Sequence, residues 1–372
     1  MFAADLRLLE DRWICAGHVS EVAAPGDWIT AELGAESAIV VRGEDGTPRA
    51  LANVCRHRGS RVCVTARGHA ALLTCPYHAW SYHLDGRLRA AREMPSGFDP
   101  DGFGLKPLPI KVVGGLIFVS FSDDPPAFGD AETALASMTG LYGWDGATVA
   151  LRRSYRVAAN WKLVMENYHE CYHCQPSHPG FSVLHALARP GGRTLSDASD
   201  PDTRLADFEA WGPPDGLETA RVMRSALSEG CLTGGADGKP LAPPMGPAGA
   251  RWDGRCVFGE LGFLSAFLAY ADYGLIYRFI PRGVRDTEME VIWLTAADAR
   301  PGLDYDPDRL AWLWDVTSRE DKLIVERNQA GVASRAYEPG PFSLMEPGTR
   351  AYVARYVGEL ALAVAARAAV EA

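Results

Sequence analysis

The sequence predicts an α+β protein in which a small all-β domain precedes a larger domain of antiparallel strands and helices. Strand-like runs separated by turn residues fill positions 27–125, whereas long helical patterns appear later, at 160–174 and 307–329. The acidic and proline-rich stretch Asp123-Asp-Pro-Pro126 separates the two patterns. We therefore predict two domains, residues 1–150, with a core at about 27–125, and residues 151–372.

Composition and charge limit the class of protein. The chain of 372 residues is 47% hydrophobic and 23% charged, as expected for a globular protein. A net charge of −10 without a Lys/Arg cluster argues against nucleic-acid or anionic-membrane partners. The acidic N-terminal stretch lacks a signal-peptide pattern, and Ser265 and Asp272 interrupt the longest apolar tract. With its cysteines expected to be reduced thiols, the chain is predicted to be cytoplasmic.

The elements of both domains follow from periodicity and turn residues. The first domain is predicted to contain a short helix at 3–12, strands at 28–33 and 37–42, a hairpin about Asp85-Gly86, and either a hairpin or two buried strands at 110–121. The second is predicted to contain a helix at 160–174, loops over most of 186–255, strands at 272–280 and 288–295, and helices at 307–329 and 350–370.

Two short loops carry the first candidate site. Cys55-Arg-His57 and Cys75-Pro-Tyr-His78 present two thiols and two imidazoles. Such a set could hold zinc, or a [2Fe–2S] cluster with the cysteines on one iron and the histidines on the other. Zinc fingers carry their second ligand pair on a helix, whereas Cys75–His78 leads into a predicted hairpin. The pattern therefore favours a cluster bound by Cys55, His57, Cys75 and His78.

The helix predicted at 160–174 suggests a second metal site. Five residues of continuous helix would rotate His178 by about 140° from His173, but unwinding at Pro176 would bring the two imidazoles together. His169 and His173, four residues apart, are an alternative pair with glutamates beside them. Two histidines and one carboxylate are typical of oxygen-activating ferrous sites.

The helix predicted at 307–329 offers the carboxylate. Asp321 lies within a mostly apolar stripe of that helix, whereas its neighbour Glu320 lies off to the side. A carboxylate on such a stripe must be paired or bound to a metal, because burying it alone costs several kcal/mol. A salt bridge to an arginine is the alternative.

Two sets of motifs resemble the Rieske non-haem iron oxygenases. Asn53-Val-Cys-Arg-His-Arg-Gly59 with Cys75-Pro-Tyr-His-Ala-Trp80 is similar to their Rieske domain. Asn160-Trp-Lys, Glu166-Asn-Tyr-His-Glu-Cys-Tyr-His-Cys and His178-Pro are similar to the start of their catalytic domain. The resemblance implies an oxygenase (alpha) subunit with an all-β Rieske domain and a helix-grip-like catalytic domain. It also implies one [2Fe–2S] cluster and one mononuclear Fe(II) per chain, the latter held by His173, His178 and Asp321.

The same resemblance implies partners and a route for electrons. Members of this family receive electrons from NAD(P)H through a separate flavin- or ferredoxin-type reductase and use O₂. Their contact between subunits implies a closed ring of identical subunits, which we expect to be a homotrimer. Glu170 matches the acid that links an iron-ligating histidine to a Rieske histidine of the neighbouring subunit. Many members carry Asp there, and Glu is known in the betaine-demethylating branch.

The stretches Gln329-Ala-Gly-Val-Ala-Ser and Tyr337-Glu-Pro-Gly-Pro resemble that branch, which acts on glycine betaine and proline betaine (stachydrine). The resemblance implies a monooxygenase that oxidatively N-demethylates a small quaternary amine, for which an aromatic cage would be suitable. Candidates for the cage are Trp252, Phe258, Phe263, Phe267, Tyr270, Tyr273 and Tyr277.

Four alternatives remain open. Aromatic-ring hydroxylation by a dioxygenase and O-demethylation belong to the same class of enzyme. An electron carrier or a zinc-binding protein without turnover belongs to a different class. The cysteines outside the first site, Cys171 and Cys174 among them, are interpreted as core or incidental thiols.

Overall fold

The computed structural model describes residues 1–186, 208–209 and 220–371, and the chain divides into two compact units. The first unit is Leu9–Pro125, and the second combines Met1–Leu8 with Pro126–Ala372. The first is built mainly of strands, and the second combines an antiparallel sheet with helices, so the predicted α+β class is confirmed. Within the described residues, no helix is long and apolar enough to cross a membrane.

Short antiparallel strands build the first unit. The elements up to residue 125 are α1 (Phe2–Glu10), β1 (Ile14–His18), β2 (Asp27–Leu33), β3 (Glu36–Arg42), β4 (Pro48–Ala52), β5 (Arg67–His69), β6 (Leu73–Thr74), β7 (Ser81–Tyr82), β8 (Leu88–Ala90), β9 (Pro107–Leu108), β10 (Ile110–Val113) and β11 (Leu116–Val119). The strands pair in the orders β5-β2-β3-β4-β9, β6-β7-β8 and β1-β11-β10. Trp28, Leu73 and Tyr82 belong to one buried cluster that joins the first two sheets.

One antiparallel sheet dominates the second unit. Its further elements are α2 (Asp130–Leu141), β12 (Ala147–Val157), α3 (Trp161–Tyr168), α4 (Cys174–Ser177), α5 (Pro179–Leu184), β13 (Phe208–Glu209), β14 (Ala220–Ala226), α6 (Gly246–Arg251), β15 (Arg255–Leu261), β16 (Ser265–Ala269), β17 (Gly274–Gly283), β18 (Asp286–Ala296), α7 (Pro307–Val332) and α8 (Pro347–Glu371). Seven strands pair in the order β12-β18-β17-β16-β15-β14-β13.

Helices cover both faces of this sheet, which explains why β17 is buried along most of its length. Met138 of α2 packs so closely on Gly259 that a Cβ there would lie 2.8 Å from its sulfur. Because side chains alternate along a strand, the neighbouring Phe258 and Glu260 point to the opposite face, where α3 and α7 lie. The strands predicted at 272–280 and 288–295 are confirmed as β17 and β18, whereas β12, β14, β15 and β16 were not predicted.

The long helix α7 begins as its sequence predicts. Asp306 caps it by accepting hydrogen bonds from the N–H groups of Asp308 and Arg309, and Pro307 occupies the first turn. The predicted helices at 307–329 and 350–370 are thus confirmed as α7 and α8. α7 matters for the site because it carries Asp321 beside the segment that follows α3.

The first predicted helix of this unit ends earlier than expected, at Tyr168, and helix resumes only at Cys174. In the gap, the carboxylate of Glu170 accepts hydrogen bonds from the backbone N–H groups of the second and third residues after it. Those bonds compete with the helical ladder. The chain therefore turns before His173, and Pro176, which was expected to cause the turn, lies within α4.

Candidate metal centres and substrate cavity

The two predicted cluster loops share one backbone conformation. In the first, the N–H of Gly59 donates to the carbonyl of Cys55 (3.0 Å), and the cysteine N–H donates to the carbonyl five residues later (2.8 Å). The second loop repeats both bonds at Ala79 and Cys75, again at 3.0 and 2.8 Å. Gly59 and Ala79 are both left-handed, with φ of 76° and 58°. The same tight turn thus presents His57 and His78 on the two loops.

The four donor side chains divide into a buried pair and an exposed pair. Cys55 and Cys75 are 3% and 2% exposed, whereas His57 and His78 belong to the exposed residues. The two histidine Nδ1 atoms lie 3.1 Å apart. Desolvation, together with the charges of His57 and Arg58, lowers the pKa of His78, which favours the neutral imidazole that a metal needs. The exposed imidazole edge is accessible to an electron donor.

The grouping of these donors bears on the zinc alternative. The two thiols are buried, whereas the two imidazoles are exposed with their Nδ1 atoms 3.1 Å apart. A two-iron cluster places two thiolates on one iron and two imidazoles on the other. The arrangement therefore favours a cluster over a single zinc ion.

His173, His178 and Asp321 form the second group. Within the described parts of the chain they are the one set of three donors whose ligand atoms lie within 4.8 Å of one another. Nε2 of His178 lies 3.0 Å and Nε2 of His173 lies 3.3 Å from Oδ1 of Asp321. The imidazole rings cross at 84°. Two nitrogens and one carboxylate oxygen therefore converge, as in ferrous sites with two histidines and a carboxylate.

Two further carboxylates orient the histidines. Nδ1 of His173 lies 2.5 Å from Oε1 of Glu170, and Nδ1 of His178 lies 2.8 Å from Oε2 of Glu320. Each Nδ1–H can thus donate to a carboxylate, which leaves both Nε2 atoms free for a metal. Sequence reasoning placed Glu320 off to the side and missed this contact, because the side-chain direction depends on how α7 packs against α4 and α5.

The charges of this site favour a cation. Burial opposes the charged form of His173, but hydrogen bonds to Asp321 and Glu170 raise its pKa to about 9. Burial likewise opposes the charge of Asp321, and its bonds to the two histidines lower its pKa to about 2. Three carboxylates, those of Glu170, Glu320 and Asp321, surround two imidazoles. A divalent ion would satisfy this excess of negative charge, so the residues fit a mononuclear iron.

The donor group lines a cavity of about 500 Å³ between the sheet and the helices of the second unit. The aromatic side chains that line it are Tyr168, Phe181, Phe258, Tyr277, Phe279 and Trp314. Trp314 lies two turns before Asp321 on α7, and the ring of Phe181 meets it edge-on at 5.7 Å between centroids. Of the aromatic residues proposed from the sequence, Phe258 and Tyr277 line the cavity.

The alternative histidine, His169, is engaged elsewhere. Its Nδ1 lies 3.1 Å from Oε2 of Glu260, and its ring lies over Tyr352 at 4.3 Å. Burial alone would raise the pKa of Glu260, but His169 and two arginines outweigh it and lower that pKa. His169 therefore pairs with a buried carboxylate rather than joining the three donors.

The structure corrects the interpretation of two cysteines. Cys171 and Cys174 form a disulfide across the turn that carries His173, whereas they were expected to be free thiols. A C-x-x-C pair was visible in the sequence, but the predicted continuous helix gave no reason to close it. The free cysteines are Cys15, Cys55, Cys63, Cys75, Cys231 and Cys256.

Comparison with known proteins identifies the family of each domain. Residues 12–109 match the family model of the Rieske [2Fe-2S] domain, and residues 145–260 and 261–361 match that of the ring hydroxylating alpha subunit catalytic domain. The glycine betaine monooxygenase oxygenase subunit of Chromohalobacter salexigens is 36% identical over 366 residues, 92% of this chain and 79% of that protein.

Solved structures share the fold. A quaternary ammonium Rieske monooxygenase in complex with L-carnitine matches with a TM-score of 0.67 at 22% identity, over 95% of this chain and 89% of that one. Naphthalene 1,2-dioxygenase from Rhodococcus sp. matches with a TM-score of 0.67 at 17% identity, over 97% and 92%.

The matched family models imply a Rieske [2Fe–2S] cluster and a mononuclear iron in each chain, and the two sets of donor residues fit these groups. Oxygenase components of this kind work with a reductase and O₂. The catalytic-domain model alone matches more than half of the chain, and the relative from C. salexigens is matched over most of its length. This chain therefore belongs to the Rieske non-haem iron oxygenases, as an oxygenase (alpha) subunit.

Proposed function

We propose that this chain is the oxygenase component of a Rieske monooxygenase that N-demethylates a small betaine-type quaternary amine. The observation that carries the proposal is the group of three donors on the wall of an aromatic-lined cavity. The glycine betaine relative supports the choice of substrate class. Electron entry belongs to residues 1–150 in this proposal, and oxygen chemistry belongs to residues 151–372.

The two groups have separate residues in this proposal. Cys55, His57, Cys75 and His78 hold the cluster, and His173, His178 and Asp321 hold the iron. When bound, the cluster passes single electrons and the iron activates O₂ for attack on a C–H bond. The protein's own part is to hold each Nδ1–H on a carboxylate, that of Glu170 or Glu320, so that each Nε2 faces the metal, and to place the substrate in the cavity beside it.

The cavity suits a zwitterion with a methylated ammonium group. Such a cation cannot donate a hydrogen bond, so aromatic faces bind it, each contributing about 0.5–2 kcal/mol. The candidates are Phe181 of α5, Trp314 of α7 and Tyr277 of β17, which all line the cavity; the ring centroid of Trp314 lies 5.7 Å from that of Phe181 and 6.0 Å from that of Tyr277. Arg221 also lines the cavity and is the candidate for the carboxylate. Oxidation of an N-methyl carbon gives a hemiaminal, which collapses to formaldehyde and the demethylated amine.

The aromatic lining also supports a second candidate, ring hydroxylation of an aromatic substrate or O-demethylation. The side chains of Phe, Tyr and Trp can bind an aromatic substrate by ring packing, just as they can bind a cation over the ring face. The charged lining residues Arg221 and Glu260 favour the zwitterion over a neutral arene.

The oligomer and its electron route are part of the same proposal. We infer a homotrimer, in which Glu170 links His173 of one subunit to His78 of the next and an NAD(P)H-dependent flavin- or ferredoxin-type reductase reduces the cluster. Within its own chain, Glu170 already accepts bonds from its own turn and from His173. Its remaining lone pairs would meet the neighbouring histidine.

A substrate screen tests the proposal. Purified protein with a surrogate reductase should consume NADH and O₂ and release formaldehyde with glycine betaine or proline betaine. The variant Arg221→Gln should raise KM for the betaines at least tenfold, because a charge-assisted hydrogen bond to the substrate carboxylate is lost, while leaving turnover of any carboxylate-free analogue such as choline unchanged. If no amine yields formaldehyde while NADH and O₂ are consumed, and an arene yields a hydroxylated product, ring hydroxylation would replace this proposal.

A further inference from the structure

The disulfide between Cys171 and Cys174 lies at the point where the iron-binding turn leaves α3. Its Cα atoms are 4.8 Å apart, a separation that both the bonded and the dithiol form accept. It encloses Tyr172 and His173, so the cross-link surrounds a proposed iron ligand. Sequence reasoning and the proposed mechanism leave this pair without a role.

The pair is also accessible from the cavity. Both Cys171 and Cys174 line it, together with His173 and His178. Cys171 is partly exposed, whereas the free thiols Cys63 and Cys256 are buried in the core. Burial raises the pKa of Cys63 to about 12 and also raises that of Cys256. A small oxidant inside the cavity therefore meets Cys171 in preference to these unreactive thiols.

We propose that Cys171 and Cys174 form a site of reversible oxidation by hydrogen peroxide, whose closure fixes the turn that carries His173. The thiolate of Cys171 attacks one peroxide oxygen, so that an S–O bond forms, the O–O bond breaks, and hydroxide takes up a proton to leave as water. The thiol of Cys174 then attacks that sulfur, the S–S bond forms, and a second water leaves. In sum, two thiols and one H₂O₂ give one disulfide and two waters.

The consequence for the metal follows from the turn. Residues 169–173 are not helical, and their conformation rests on the Glu170 bonds, one bond from the Cys174 N–H to the Cys171 carbonyl (3.3 Å), and the disulfide. A disulfide across so short a loop disfavours open conformations of the turn, and the equilibrium constant for opening the turn falls by a factor on the order of ten. The disulfide form should therefore release iron from the His173 site about tenfold more slowly than the dithiol form. Because the Glu170 bonds persist in both forms, the dithiol form still binds iron, and the disulfide changes only the rate at which iron is released.

The inference rests on the proposed iron site, and the experiment separates the two. Holoenzyme is treated with one equivalent of H₂O₂ or with dithiothreitol, desalted, and reloaded with Fe²⁺ without air. Differential alkylation with mass spectrometry reports each cysteine, a chelator reports iron release, and the visible spectrum reports the cluster. Oxidation should join Cys171 to Cys174 and slow iron release about tenfold.

Three variants complete the design. Cys171→Ser and, in case it folds poorly, Cys174→Ala should release iron at one rate after either treatment. Cys231→Ser removes a partly exposed free thiol elsewhere and should respond like the wild type. Equal release rates for oxidised and reduced wild type, or peroxide oxidation of Cys231 before Cys171, would overturn the inference alone. Absence of mononuclear iron in both forms would overturn the proposed iron site as well.

Discussion

The contact between His178 and Glu320 gives a quantitative prediction for the iron centre. Replacing Glu320 by Ala removes the carboxylate that lies 2.8 Å from Nδ1 of His178 but leaves all three proposed ligands in place. The side chain of His178 is only 1% exposed, so water cannot readily replace the lost acceptor. We expect weaker iron binding with an unchanged Rieske spectrum.

The size of the effect follows from the hydrogen bond. A bond to a charged group contributes about 1.5–3 kcal/mol, which corresponds to roughly 10- to 150-fold in iron affinity. Loss of an outer carboxylate in metal sites costs a similar factor, about 10- to 100-fold. Glu320→Gln keeps an acceptor oxygen without the charge and should fall between Ala and wild type. Asp321→Ala removes a ligand and should abolish iron binding and oxygenation.

The assay is a chelator competition for the mononuclear iron, supported by the EPR signal of its nitric oxide adduct. Asp308→Ala serves as the control, because this carboxylate lies on the same helix, is 94% exposed and contacts neither histidine. Iron affinity in Glu320→Ala equal to that of the wild type would refute the role of this contact. Loss of iron in Glu320→Ala together with retention in Asp321→Ala would mean that the two acids exchange roles.

Three further predictions concern the cluster, the oligomer and pH. His57→Cys should keep some cluster but lower its potential by on the order of hundreds of millivolts, because a thiolate replaces a neutral imidazole; unchanged visible and EPR spectra would exclude His57 as a ligand. Mixed oligomers of Cys75→Ser and His178→Ala chains should regain partial activity if electrons cross between subunits, and native mass spectrometry must confirm the mixing before a lack of recovery counts against that route. Burial lowers the pKa of His185 to about 4. Because the unfolded chain takes up this proton near pH 6.5, the free energy of unfolding should fall by up to about 3 kcal/mol as pH drops from about 6.5 toward 4. Urea unfolding of His185→Gln should lack this pH dependence, and the same pH dependence in the variant as in the wild type would contradict the lowered pKa of His185.

The parts of both sites that could be predicted from the sequence are those encoded by short spacings. Cys55 to His57 and Cys75 to His78 lie within single turns, so their residue types and intervals nearly determine the geometry. The apolar stripe around Asp321 predicted only that a cation or a hydrogen-bond donor faces this carboxylate, and the resemblance to the family decided between a metal and an arginine.

The parts that could not be predicted depend on side chains that override local propensity. The break after Tyr168 arises because the Glu170 carboxylate captures backbone N–H groups, a competition that helical periodicity does not reveal. The role of Glu320 depends on the packing of α7, and the disulfide depends on that same break. The strands β15 and β16 were missed because their apolar residues resemble those of any buried segment, and β14 lies in the stretch that was predicted to be loops.

The proposed iron ligands come from distant parts of the chain, and this has a consequence for folding. His178 and Asp321 are 143 positions apart in sequence. An ion bound to both residues closes a large loop. It therefore removes more conformational entropy from the unfolded chain than a local cross-link does. Separation of α7 from the turn releases the ion, and release of the ion favours that separation. Iron occupancy and resistance of this half of the molecule to proteolysis should therefore rise and fall together.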